Sequence, residues 1–352
     1  MISGGRDRSP LDGVIVVNKP QGLSSNGVLN RLKGLLAVRK MGFLGTLDPL
    51  ATGVLAVFTG KATKLIGEFD RLDKSYRVTL ELGYTTDTLD SEGVVLERKD
   101  PSGVTEAAAR QAVMAFEGEM DQEAPVYSAL KINGRPSYKL ARQGLAVTPK
   151  VRRVALWGME IETIRLPVIT FQVSCSAGTY MRSLARDIGR ALGPGATLTG
   201  LERTRCGSLF LLENSFTLDE IKEMADKNRW DFVTPPAGYL ACHLPVEVNP
   251  QDEARLKLGM AISLGENCPL GINWPQGQNT PPAGTSSPAI REAHTGEKKA
   301  KAVRPDGCLV AIGVVRAVDP RTETPGMENP VSEAIPEKNN TRLIFQPEKV
   351  LV

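Results

Sequence analysis

Residues 75–82 alternate with period two: Tyr76, Val78, Leu80 and Leu82 fall on one side, Arg77, Thr79 and Glu81 on the other. Successive strand side chains point to opposite faces, so this pattern dictates a half-buried strand. Residues 12–18 read as a short buried strand, broken by Lys19-Pro20-Gln21-Gly22. Ser24 or Ser25 is placed to cap a helix in which Val28, Leu29, Leu32, Leu35 and Leu36 recur at helical spacing. A helix over 104–116, a strand over 171–175 and a helix over 180–192 follow, the last capped by Thr179. In that last helix Met181, Leu184, Ile188 and Leu192 are apolar, and Arg182, Arg186 and Arg190 line another face. Strands and helices alternate without the steady rhythm of a doubly wound sheet, so the expected class is α+β, a mixed and mainly antiparallel core.

A chain of 352 residues has room for two domains. The first is expected over 1–235, ending at the joint Pro235-Pro236-Ala237-Gly238, and the second over 236–352. Strand signals at 261–264, 308–315 and 343–345 make the second domain β-rich. Residues 274–301 and 319–340 are rich in Pro, Gly, Ser, Thr, Asn and charge, the composition of disordered insertions. The first ten residues lack a signal peptide's apolar stretch and no run approaches membrane-span length, so a cytoplasmic location is expected.

The five cysteines are widely spread, without a CxxC pair, which argues against a disulfide framework or metal site. Both histidines, His243 and His294, lie in the C-terminal third, so acid–base work in the first domain falls to carboxylate, tyrosine or lysine. The formal net charge of +3 hides a local concentration. Lys131, Arg135, Lys139, Arg142, Lys150, Arg152 and Arg153 form a segment with no Asp or Glu, interleaved with Tyr127 and Tyr138. That composition suits a phosphate backbone, and equally a solvated basic surface.

Chemistry concentrates in Gly45-Thr46-Leu47-Asp48-Pro49-Leu50-Ala51-Thr52-Gly53-Val54-Leu55. Pro49 fixes its own φ and drives Asp48 from helical geometry, so the backbone presents the carboxylate. By physics alone, an Asp-Pro in a turn is more often a turn-former than a catalyst.

This segment resembles the signature of the TruB family of tRNA uridine-55 pseudouridine synthases. Four further segments are similar to the family's motifs, in the same order: Asn18-Lys19-Pro20-Gln21-Gly22-Leu23-Ser24-Ser25, Lys74-Ser75-Tyr76-Arg77-Val78, Pro125-Val126-Tyr127-Ser128-Ala129-Leu130-Lys131, and Cys175-Ser176-Ala177-Gly178-Thr179-Tyr180-Met181-Arg182-Ser183-Leu184. The resemblance implies a pseudouridine-synthase core with a C-terminal PUA-like β-barrel that binds RNA. It also implies isomerisation of a flipped-out uridine in the TΨC arm of tRNA, without cofactor or metal. Asp48 would attack or deprotonate the ribose, Tyr76 stack on the base, and Arg182 keep Asp48 ionised. Lys19, Phe43, Gly45, Leu47, Tyr180, Leu201 and Lys131 would contact or shape the substrate site, Lys19 by holding the chain or facing phosphate. No obligate protein partner and a monomer are expected.

The pattern departs at Phe43, where the family commonly has a histidine, and at Thr197 and Glu202, which replace a histidine and a basic residue. Covalent attack at C1′, abstraction at C2′ and addition to C6 all remain open. A guide-RNA-dependent enzyme and a non-catalytic RNA chaperone are the competing readings.

Overall fold

A computed structural model describes residues 11–128, 131–132, 135–137, 143, 148–240, 243–264, 298–305, 308–318 and 342–351. Contacts divide the chain into two units, Met1–Thr234 and Pro235–Val352.

The first unit is built on a nine-stranded sheet in the order β1 (Val14–Lys19), β3 (Thr52–Thr59), β12 (Ala196–Cys206), β4 (Lys74–Leu82), β11 (Val168–Cys175), β10 (Val151–Arg165) and β7 (Gly118–Glu123). Strand β2 (Met41–Phe43) pairs with β3, and β13 (Phe210–Leu211) with β12. Small hairpins are formed by β5 (Tyr84–Thr86) with β6 (Val95–Arg98) and by β8 (Lys131–Ile132) with β9 (Arg135–Pro136). The pairing of β12 with β3 is parallel, Glu202 and Arg203 lying against Thr52 and Gly53, whereas β12 runs antiparallel to β4.

The alternation in β4 has its expected consequence: Tyr76, Val78, Leu80 and Leu82 are buried, and Arg77 is exposed. They join Leu156, Phe171 and Val173 beneath α2 (Glu106–Met114) and α3 (Met181–Leu192), which contribute Val113, Leu184 and Ile188. A second core forms where α1 (Ser25–Leu36) and α4 (Leu218–Asp226) cover β1 and β3, with Val28, Leu32 and Ile221 against Ile15, Val17 and Val57. Ser24 caps α1 by accepting from the Gly27 amide. Thr179 does not cap α3: Tyr180 takes that position without a side-chain bond, and the Thr179 hydroxyl donates to the Ser176 carbonyl at 2.8 Å.

The second unit holds a five-stranded sheet in the order β14 (Leu244–Glu247), β16 (Lys298–Val303), β17 (Leu309–Val318), β18 (Arg342–Val350) and β15 (Ile262–Leu264). Helix α5 (Pro250–Lys257) supplies Leu256 to the core of Val246, Val315 and Phe345. The expected barrel is not simply formed, since among the described residues β14 and β15 end the sheet unpaired with each other. Lys298 to Lys301, assigned to a disordered insertion, belong to β16. The buried side chains there are the small Ala300 and Ala302, too little apolar mass to register in composition. The remainder of 274–301 and all of 319–340 lie outside the described residues.

Candidate active site

The Asp48 loop enters β3 and is fastened from several directions. The Ser25 hydroxyl accepts from the Leu47 amide at 2.8 Å and donates to the Leu47 carbonyl at 3.0 Å, so one side chain grips both polar groups of one residue. The Ala51 amide closes a turn onto the Asp48 carbonyl at 3.1 Å, and the Gly22 amide donates to the Pro49 carbonyl at 2.8 Å. Two buried cations brace the loop. Lys19, 0% exposed, donates to the carbonyls of Pro20, Leu23 and Pro49. Arg203, 1% exposed, donates to the carbonyls of Val54 (2.7 Å), Gly45 (3.0 Å) and Leu44 (3.4 Å). Gly53 sits at φ +92, where an added Cβ would come within 2.3 Å of the Arg203 carbonyl. Glycine is what allows β3 to lie beside β12 here.

Asp48, fixed in this way, meets Arg182 from the first turn of α3. The guanidinium engages both carboxylate oxygens, Nε to Oδ2 at 2.9 Å and Nη2 to Oδ1 at 3.3 Å, a bidentate pair. The same guanidinium donates to the carbonyls of Thr88 and Tyr127, each at 3.0 Å, and stands 3.7 Å from buried Asp90. Asp90 accepts from the Thr88 hydroxyl at 2.6 Å and the Glu92 amide at 3.2 Å, which fixes this turn beside Arg182.

Charges in the cleft perturb one another. Burial pushes the Asp48 carboxyl above its ordinary value, opposed chiefly by the Arg182 charge and reinforced by Asp90. Burial and the carboxylates of Asp90 and Asp48 push Glu92 up too. Burial brings the Lys19 ammonium down to about 8, although Glu92 and Asp48 favour its charged form. Tyr76 is buried, which pushes its phenol up to about 12, and the adjacent Arg203 charge works in the opposite direction. Arg203 lies directly across from Tyr76 in the β12–β4 register. A carboxylate paired with an arginine that it shares with a second carboxylate is equipped for nucleophilic or proton-transfer chemistry.

Packing and hydrogen bonds place the other residues singled out in the sequence. Leu47 is buried in the first core, and Gly45 turns the chain at φ +63 with Arg203 Nη1 3.2 Å from the position of an added Cβ. Phe43, on β2 opposite Val57, packs against the second core. Tyr180 is held through its backbone, the Gln122 amide accepting from its N–H at 2.8 Å and donating to its carbonyl at 3.1 Å. Leu201, opposite Val78, lines a cavity of about 220 Å³ with Gln21, Leu50, Thr52 and Glu202. Thr197 is buried and donates to the Tyr84 carbonyl at 2.9 Å. The side chains of Lys131, Arg135, Tyr138, Lys139 and Arg142 lie outside the described residues. Among the described residues no three His, Cys, Asp or Glu converge as a metal-ligand set. Arg203, Asp90 and Gln122 are residues that sequence reasoning did not single out, and Ser25, read there as a possible helix cap, grips Leu47 instead.

Known proteins resemble this chain in sequence and in fold. The profile of the TruB family pseudouridylate synthase N-terminal domain matches residues 33–181, and that of the tRNA pseudouridylate synthase B C-terminal domain matches residues 182–247. Over 250 residues the chain is 41% identical to tRNA pseudouridine synthase B of Syntrophotalea carbinolica, covering 71% of this chain and 81% of the relative. Over 259 residues it is 43% identical to tRNA pseudouridine synthase B of Burkholderia pseudomallei, covering 74% and 85%. In three dimensions it is similar to a chain of an H/ACA RNP bound to a substrate RNA containing 2′-deoxyuridine, with a TM-score of 0.61 and 22% identity over 97% of this chain and 86% of that one. A Cbf5-Nop10-Gar1 complex gives a TM-score of 0.57 and 25% identity over 86% of this chain and 78% of that one. The likeness to the first of these structures is one of fold.

Proposed function

The chain belongs to the TruB family of pseudouridylate synthases, and from that premise and the Asp48 cleft we infer that it isomerises uridine to pseudouridine in tRNA, at the T-loop uridine. The bond between N1 and C1′ breaks, C5 bonds to C1′, the C5 proton leaves and N1 gains one. The sum requires no oxidant, reductant or second substrate.

The observation that carries the assignment of roles is the bidentate Asp48–Arg182 pair on a loop whose backbone is fastened at Leu47 and Pro49. In this reading Asp48 acts on the ribose of the flipped-out nucleotide, by attack at C1′ or removal of the C2′ proton. Arg182 keeps the carboxylate ionised against the burial that favours its neutral form. Tyr76 stacks on the base, and the Arg203 charge assists its phenol in handling the C5 proton. Flipping a base from a loop costs less than from a duplex, which makes a T-loop hairpin the minimum substrate. The second unit, in which α5 packs on a five-stranded sheet, is read as a PUA-like RNA-binding module, and the enzyme as a monomer acting without guide RNA.

The test is tritium release from C5-tritiated uridine in unmodified tRNA, with purified wild type and Asp48→Asn. Stoichiometric release by wild type alone is expected. Tight tRNA binding without release would leave a chaperone or a guide-dependent enzyme instead.

A further inference from the structure

Arg152 and Arg153 are neighbours on β10 with opposite fates. Arg153 lies across from Asp121 and has two acidic partners, Glu119 at 3.2 Å and Asp121 at 3.6 Å. Arg152 points to the other face, the one on which Val154 and Leu156 are buried. The third carboxylate of β7, Glu123, stands 3.7 Å from Arg186. Arg152 is thus left, partly buried, with no ion pair or hydrogen bond among the described residues.

Its position is built. Arg152 lies directly across from Gln122, whose amide clamps the backbone of Tyr180, two residues before Arg182. Its Nη1 rests against Gly178, at φ +89, within 3.0 Å of where a Cβ would stand. Any other residue at 178 would press on the guanidinium. A fork of N–H donors, partly withdrawn from water and given no acceptor among the described residues, is matched by an anion with planar or tetrahedral oxygens.

We propose that Arg152 is a phosphate-binding residue of the enzyme, holding a backbone phosphate of the RNA beside the Gly178–Tyr180 turn and so fixing the strand's approach to Asp48. This rests on the reading of tRNA as substrate. The contact is to RNA backbone and carries no sequence information, so it contributes to affinity and placement and not to the choice of base. Arg153, neutralised on the opposite face, has no such role, although the two are indistinguishable in the sequence.

The experiment measures binding of an unmodified T-arm RNA between 50 and 200 mM salt, with steady-state tritium release and thermal melting, for Arg152→Gln, Arg152→Lys and Arg153→Gln. Arg152→Gln is expected to weaken binding about tenfold and to reduce the slope of log affinity on log salt by about one. KM should rise with little change in kcat, the melting temperature should hold, and Arg152→Lys should fall between wild type and Arg152→Gln. Arg153→Gln should bind as wild type does. Wild-type affinity and slope in Arg152→Gln, equal losses in the two glutamine variants, or a loss explained by a lowered melting temperature would each overturn the proposal. Absence of tritium release by wild type would instead refute the isomerase reading, while the binding slopes would still judge Arg152.

Discussion

Two arginine–carboxylate pairs in this chain share their chemistry and differ in outcome. In the second unit Glu253 receives Arg304 through Nε at 2.9 Å and Nη2 at 2.6 Å, with Lys257 adding 2.8 Å, and the hydrogen bonds from these cations hold its carboxyl down at about 2. In the first unit Asp48 also receives a bidentate arginine, yet its carboxyl is pushed up. The difference lies in what surrounds each pair. Glu253 takes hydrogen bonds from two cations, which outweigh its burial, whereas burial is the largest influence on Asp48, whose partner Arg182 is divided among Asp48, Asp90 and two carbonyls. One pair is arranged to stay ionised. The other leaves its carboxylate under-compensated, as a group that must react is best left.

The contrast can be broken most sharply by exchanging each carboxylate for its amide. Asp48→Asn is expected to cost at least ~10⁴ in turnover, and Glu253→Gln less than about twofold, both read by tritium release. Comparable losses would show that the two pairs are not functionally distinct. Next in size is Arg182→Lys, which should lower kcat by about 10²-fold and move the acid limb of the rate profile to higher pH. The sign follows from the role proposed for Asp48: if its working form is ionised, activity is lost as pH falls through its raised pKa, and Arg182 is the strongest influence lowering that value. An unmoved limb in Arg182→Lys would mean that the arginine serves geometry alone.

Smaller effects belong to the second unit. Glu253 is held below its ordinary 4.5, so its contribution to stability is present above that pH and fades as pH falls toward about 2. Glu253→Gln should therefore melt about 2–4 °C lower than wild type at neutral pH, a partly exposed pair being worth little. The gap should close on acidification; a gap independent of pH would point to packing. Least of all, Lys257→Gln removes one i,i+4 contact and should shift melting by about 1 °C or less. A larger shift would mean that the lysine, rather than Arg304, dominates the pair.

Much of the sheet and the main helices were legible because periodicity records burial directly. Tyr76, Val78 and Leu80 mark β4, and Val28 to Leu36 mark α1. Asp48 stood out through the constraint that Pro49 imposes, and gained a chemical role only through resemblance to a family. What escaped were polar groups whose partners are distant in the chain. Arg203 reads as a surface charge on an alternating strand, yet it is satisfied by the carbonyls of residues 44, 45 and 54, and only the fold reveals that acceptors await it. Ser25 reads as a cap and instead grips Leu47. Asp90 sits among turn-forming residues and looks like one more of them. In β16, small alanines hid a strand that an alternation count over 298–303 would have detected.

The position of β12 bears on how the molecule is born. It is inserted between β3 and β4, strands synthesised well over a hundred residues before it, and it carries Arg203 to the Asp48 loop. A chain emerging from the ribosome therefore has the β12-facing parts of β3 and β4 unpaired, and its Asp48 loop without the Arg203 brace, until Cys206 has left the tunnel. Closing contacts of such long span is slow, and open strand edges invite foreign pairing. The nascent protein thus passes through an interval in which Asp48, Tyr76 and Arg182 are all present, but not yet the strand that carries Arg203 to the loop, and in which open strand edges are exposed to foreign pairing.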